Sequence, residues 1–130
     1  MIYPDTSAAT KLVHSEAESE ALAVFLVKRI DIPVVSSALL HPELVRAVRR
    51  HRPELGVRAI QLLQRIRLVP VAVDILADAA TVGDPALRTP DAIHLATAIT
   101  ISQELVSFVC YDKRLGEAAA THGLTVDAPV

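Results

Sequence analysis

Residues 90–112 read PDAIHLATAITISQELVSFVCYD, and the order of their parts decides the fold. Pro90 heads an apolar segment, a position in the first helical turn where its missing N–H costs nothing. The spacing that follows predicts a helix over residues 90–103. Leu105–Tyr111 is then a short, nearly continuous apolar run of the kind that suits a strand buried on both faces. An acid stands at each end of this pair, Asp91 where the helix opens and Asp112 directly after the strand. A helix that runs back to feed a parallel strand begins at the sheet's carboxyl edge, where that strand also ends, so both acids belong to one rim.

The pattern repeats outward in both directions. Apolar, β-branched runs at Met1–Pro4, Ile32–Ser36, Leu68–Val71 and Leu124–Val126 read as further strands. Helical spacing covers Glu16–Arg29, Pro42–Arg50, Pro53–Ile66, Val73–Val82 and Lys113–His122, with Gly123 at a C-cap position. Strands alternating with helices predict an α/β domain of three layers, α/β/α, around a mostly parallel central sheet of about five strands. No repeat, low-complexity tract or linker divides the chain, so residues 1–130 form one domain. On this topology Asp5 ends the first strand and Glu43 lies early in the helix after the second, which brings four carboxylates to the carboxyl edge.

Composition narrows the class. Hydrophobic residues make up 52% and charged residues 22%, which excludes a disordered chain. The single cysteine, Cys110, excludes an intramolecular disulfide and a cysteine-rich zinc site, and fits a reducing cytoplasmic setting. MIYPDTSAAT lacks the basic head and apolar core of a signal peptide. The longest uncharged stretch, Ala92–Gln103, is shorter than the roughly 18 residues a membrane-spanning helix needs, so no membrane partner is expected. Net charge is -2, but it is segregated: between Arg46 and Arg67 seven arginines face one acid, Glu54, a block of +6 that leaves -8 for the remainder. Such a block is a footprint for a polyanion or a solvated helical face.

Four crowded carboxylates repel one another and call for a cation. Oxygen donors select a hard ion, Mg2+ or Mn2+, and Mg2+ held by a few carboxylates commonly serves phosphate chemistry. Each acid also has a plain structural reading. Asp91 and Glu43 suit a first helical turn, and Asp112 an N-cap. Asp5 resists such a reading more, because it places a charge at a buried strand end. A phospho-receiver domain also carries an acidic rim, but it needs adjacent acids after the first strand, and here Thr6 and Ser7 follow Asp5.

Ile2-Tyr3-Pro4-Asp5-Thr6-Ser7-Ala8, Ser36-Ser37 followed by Glu43, Leu87–Ala96 with its core Thr89-Pro90-Asp91-Ala92-Ile93-His94, and Tyr111-Asp112-Lys113-Arg114-Leu115 resemble the PIN-domain family over essentially the whole chain. Within it they are most similar to the VapC toxins of bacterial type II toxin–antitoxin systems. The resemblance implies a Mg2+-dependent endoribonuclease acting on RNA, inhibited by a VapB-type antitoxin and usually a homodimer. It makes Asp5 and Asp91 the principal metal ligands and Glu43 and Asp112 the other two acids. Ser7 would hydrogen-bond near the metal or to the first acid, while Thr6 would supply backbone and packing. The alternative is a catalytically inactive PIN-like interaction module.

Two residues depart from the family pattern: Pro4 in a strand removes a ladder donor, and Pro42 directly precedes Glu43. Arg46, Arg49 and Arg50 follow Glu43 on one helix and are candidates for the RNA backbone. Arg88 either steadies a phosphate or pairs with a nearby acid. His94 reads as a neutral histidine packed beneath the site, Cys110 as a small buried hydrophobe, and Lys11 and Lys113 as solvated.

Overall fold

The computed structural model describes residues 1–130. Five strands form: β1 (Ile2–Pro4), β2 (Val35–Ser37), β3 (Arg67–Val69), β4 (Ser107–Val109) and β5 (Val126–Asp127). All pairings are parallel, in a three-stranded sheet ordered β1-β4-β5 and a two-stranded sheet of β2 and β3. A parallel bridge between Ile2 and Val34 joins the two, giving the order β3-β2-β1-β4-β5.

Pro4 explains why that join is thin. The Asp5 N–H donates to Val109 on the β4 side at 3.1 Å, whereas the β2 side receives only the Ile2 N–H, at Pro33 O, 2.9 Å away. Pro4 has no N–H to extend that side, and the Ser36 hydroxyl donates to the Pro4 carbonyl at 2.8 Å instead. The irregularity therefore falls on the seam between β1 and β2 and leaves Asp5 anchored to β4.

Seven helices cover the sheet: α1 (Thr6–Val13), α2 (Ser19–Val27), α3 (Leu40–His51), α4 (Gly56–Gln64), α5 (Val73–Ala79), α6 (Thr89–Thr100) and α7 (Lys113–Thr121). Alternation along the strands sorts the core. Tyr3, Val35 and Phe108 pack with Leu95, Ala98, Leu115 and Ala119 of α6 and α7, and the Tyr3 and Phe108 rings stack 5.2 Å apart. Ile2 and Val109, one residue on, face Ala8 and Leu22 of α1 and α2. A third cluster joins α1, α3 and α4 through Ala9, Val13, Leu40, Leu44, Val48, Ala59 and Leu63. This is the three-layer α/β/α arrangement expected, and no helix is long and apolar enough to cross a membrane.

The structure corrects several boundaries and adds α1, which the spacing did not predict because eight residues closed by His14 show barely two turns of pattern. The segment 53–66 begins as a 3-10 turn, Pro53–Leu55, before α4. Pro42 does not open α3, which starts at Leu40, but stands third in its first turn, where no intrahelical donor is lost. The helix is continuous through Glu43, whose N–H reaches Leu39 O at 3.2 Å. Helix α6 is buried along Ala92–Ala98, as befits a helix covered on all sides. Gly123 ends α7 at φ +82°, the left-handed C-cap conformation expected of it.

Candidate active site

The carboxyl edge of the sheet is where α1, α3, α6 and α7 begin, so the partial positive charge of four helix N-termini surrounds the acids. Asp5 is the N-cap of α1. Its Oδ1 accepts the Ala8 N–H at 3.0 Å and the Ser7 hydroxyl at 2.6 Å, and its Oδ2 accepts the Cys110 thiol at 3.2 Å. Asp112 caps α7 in the same way, with Oδ1 accepting the Leu115 N–H at 2.8 Å. Asp91 occupies the first turn of α6 and Glu43 that of α3. The Glu43 Oε1 accepts from the Thr6 hydroxyl and from His94 Nε2, both at 2.7 Å.

Electrostatics separate these acids. Burial pushes the carboxyl of Asp5, only 3% exposed, above the ordinary range in spite of its hydrogen bonds. Burial also raises Asp91. Arg88 opposes that rise, while the negative charges of Asp112 and Asp5 add to it. For Glu43 burial acts upward, but the His94 and Thr6 hydrogen bonds outweigh it and hold the carboxyl below its usual range. Asp91 thus feels Asp112 and Asp5 as like charges, while Glu43 is held by its own partners.

No three His, Cys, Asp or Glu side chains are drawn closely enough together to hold a metal ion as they stand. The chemistry of the donors nevertheless fits a hard cation. They are oxygens, they repel one another, and Glu43, Asp91 and Asp112 each keep one oxygen free of any donor. Arg88 is 79% exposed on its side chain and lies 3.4 Å from Asp91, the acid-pairing alternative in this arrangement. Arg46, Arg49 and Arg50 line a shallow exposed depression further along α3 and are paired with no acid. Arg52 of the same basic block instead pairs with Glu54.

Five side chains do more here than their sequence positions suggested. Ser7 bonds to Asp5 as expected and also accepts the Tyr111 N–H at 2.9 Å, tying the first acid to the loop after β4. The Thr6 side chain, expected to serve packing alone, bridges Glu43 and His94. Cys110 is buried but is not merely a hydrophobe, since its thiol donates to Asp5, and burial and that neighbouring charge push the thiol well above its ordinary pKa. His94 packs beneath the site as expected, but hydrogen-bonded at both ring nitrogens. The signal for it was Tyr3: a tyrosine in a central strand must find a polar partner for its hydroxyl. Lys11, expected in solvent, is clamped by Glu16 and Glu18 at 2.7 and 2.8 Å.

A parallel α/β sheet with an acidic carboxyl edge is the architecture of a known family, and the sequence agrees: the PIN domain model matches residues 2–120, and the chain belongs to the PIN-domain family. Ribonuclease VapC35 of Mycobacterium tuberculosis is 45% identical over 132 residues, covering 99% of this chain and 97% of that protein. Ribonuclease VapC47 of the same organism is 39% identical over the same shares. Its place in the family is therefore among the VapC toxins.

Solved structures agree on the fold. The chain matches M. tuberculosis VapC20, a toxin cleaving the sarcin–ricin loop, at TM-score 0.73 and 18% identity over 91% of this chain and 95% of that one. It matches VapBC2 of Rickettsia felis, solved on a promoter DNA fragment, at TM-score 0.74 and 12% identity over 98% of each chain.

Proposed function

We propose that this protein is a Mg2+-dependent endoribonuclease, the toxin of a type II toxin–antitoxin system, restrained by a VapB-type antitoxin and working as a homodimer. The observation that carries the catalytic reading is the enforced proximity of like charge. Asp5 is buried at a strand end, and Asp91, raised first by its burial, is pushed further by the charges of Asp112 and Asp5. A protein keeps such a cluster at a cost to stability, and a divalent cation is the group that repays it. Identity of 45% to a protein named as a ribonuclease supports RNA as the substrate.

In this reading Asp5, Asp91, Glu43 and Asp112 hold the ion, with Mn2+ able to replace Mg2+. When bound, the ion supplies a polarised phosphoryl oxygen and a water of lowered pKa for phosphodiester hydrolysis. Ser7 and the Ala8 N–H take Asp5 Oδ1, while Oδ2 accepts only the Cys110 thiol and would keep a lone pair for the ion. Arg46, Arg49 and Arg50 take backbone phosphates and align the strand without reading its bases. Arg88 exchanges Asp91 for a substrate phosphate.

The test is RNA cleavage by antitoxin-free protein with Mg2+ or Mn2+. Asp5→Ala and Asp91→Ala should each abolish cleavage and growth inhibition, and full activity in both variants would end the assignment. One observation favours a second reading, a catalytically inactive PIN-like interaction module: no three acidic side chains stand together as a ready ion site. Titration calorimetry decides between the two, because an inactive module shows no Mn2+ binding at millimolar metal.

A further inference from the structure

The ring of His94 is 1% exposed and joins three elements. Its Nδ1 is 2.8 Å from the Tyr3 hydroxyl on β1, and its Nε2 is 2.7 Å from Glu43 Oε1 on α3 and 3.1 Å from the Thr6 hydroxyl on α1. The Tyr3 oxygen also accepts the Ser37 N–H of β2 at 3.1 Å. Tyr3 and His94 meet edge to face, with ring planes at 87°.

Donor and acceptor accounting gives this chain a direction. The Glu43 carboxylate only accepts, and the Thr6 proton is already directed at Oε1, so Nε2 must carry a hydrogen. The Tyr3 hydroxyl, buried and strongly resistant to ionisation, keeps its proton and needs an acceptor, which Nδ1 supplies. Every group is then satisfied in one sequence: Ser37 N–H to Tyr3 Oη, Tyr3 O–H to His94 Nδ1, His94 Nε2–H to Glu43 Oε1. Thr6 closes the end with a second donor on the same oxygen.

We propose that Tyr3 and His94 form a positioning relay, with His94 locked in its Nε2–H form, that holds Glu43 Oε1 inside the protein and leaves Oε2 for the divalent cation. The inference rests on Glu43 belonging to the metal site proposed above. Glu43 carries a flexible side chain in the first turn of a helix, and two donors converging on one oxygen select one of its rotamers before any ion arrives. Because Tyr3 is buried in the sheet, the reference point for that carboxylate is the rigid core rather than the rim. His94 is thus a positioning residue and touches no substrate.

Two measurements test this. In metal-free wild-type protein, long-range 1H–15N NMR should show His94 protonated at Nε2 and unprotonated at Nδ1, and a hydrogen at Nδ1 overturns the relay whatever the variants do. In calorimetry, His94→Leu should weaken Mn2+ binding about 10- to 100-fold, the range seen when outer-shell partners are lost. His94→Gln, whose amide can still donate to Oε1, should restore most of that loss. A merely structural histidine predicts the reverse order or no difference, since leucine suits an apolar pocket better than glutamine does, and either result overturns the proposal. If His94→Leu matches wild type while Asp5→Ala binds no Mn2+, the relay fails and the metal site stands. If wild-type protein binds no Mn2+, the functional reading fails, and the ring's tautomer together with a shifted Nε2 resonance in Glu43→Leu decides whether His94 still holds that carboxylate.

Discussion

The Ser7 hydroxyl donates to Asp5 Oδ1 at 2.6 Å while accepting the Tyr111 N–H at 2.9 Å, so one small side chain fastens the first acid of the rim to the loop that carries the last. Ser7→Ala removes a strong charge-assisted bond and leaves the Tyr111 N–H unpaired. Loss of such a partner costs about 1–3 kcal/mol. We expect chemical denaturation to show a destabilisation in that range. Cleavage should fall as well, because Asp5 loses one of the three donors that orient it.

Asp5 itself should be a stability liability. Its carboxyl is raised by burial, so between the unfolded and folded pKa values the native state holds the proton that the unfolded chain has lost. Stability contributed by the protonated form is therefore present at low pH and is lost as pH rises through the folded pKa. Asp5→Asn keeps Oδ1 as acceptor for Ser7 and Ala8 and removes the charge. In chelator at pH 7 it should melt higher than wild type by about 4 °C, the shift expected for roughly 1 kcal/mol in a chain of this size. The gap should close as pH falls toward the ordinary Asp range of about 3.9. Adding Mn2+ should raise the melting temperature of the wild type and leave the variant unmoved.

Tyr3→Phe deletes one oxygen from the centre of the sheet. It leaves the Ser37 N–H and His94 Nδ1 without partners while the stacking on Phe108 remains. An unpaired buried polar group costs about 1–3 kcal/mol, so a loss of at least about 2 kcal/mol is expected in urea unfolding. A near-neutral result would mean that water or a rearranged side chain reaches both groups.

The depression formed by Arg46, Arg49 and Arg50 should act on affinity alone. Replacing all three with alanine should weaken binding of a single-stranded RNA in chelator and flatten the dependence of log affinity on log salt by about 2, given roughly 0.7 per phosphate contact. Mn2+ affinity should stay at the wild-type value. An unchanged salt slope would remove these arginines from the RNA path.

Much of this protein could be read from one chain of letters. Short buried strands alternating with helices announced a parallel α/β domain, and the topology then required Asp5, Glu43, Asp91 and Asp112 to share an edge, because strands end and helices begin there. What could not be read was helix α1, too short to show a period, and with it the fact that Asp5 caps a helix as well as ending a strand. The place where Pro4 weakens the sheet was also hidden, since a missing donor matters only on the side that a neighbouring strand occupies.

The partners of Glu43, unlike the local caps of Asp5 and Asp112, belong wholly to the tertiary structure. Tyr3, Thr6, Glu43 and His94 are scattered over four elements and more than ninety residues, and nothing in their spacing pairs them. Sequence determines which groups reach the rim because local periodicity and chain direction suffice for that. Which oxygen faces inward, which histidine nitrogen carries the proton and which arginine stays free depend on hydrogen bonds a few tenths of an ångström from failing, and only the packed core sets distances that finely.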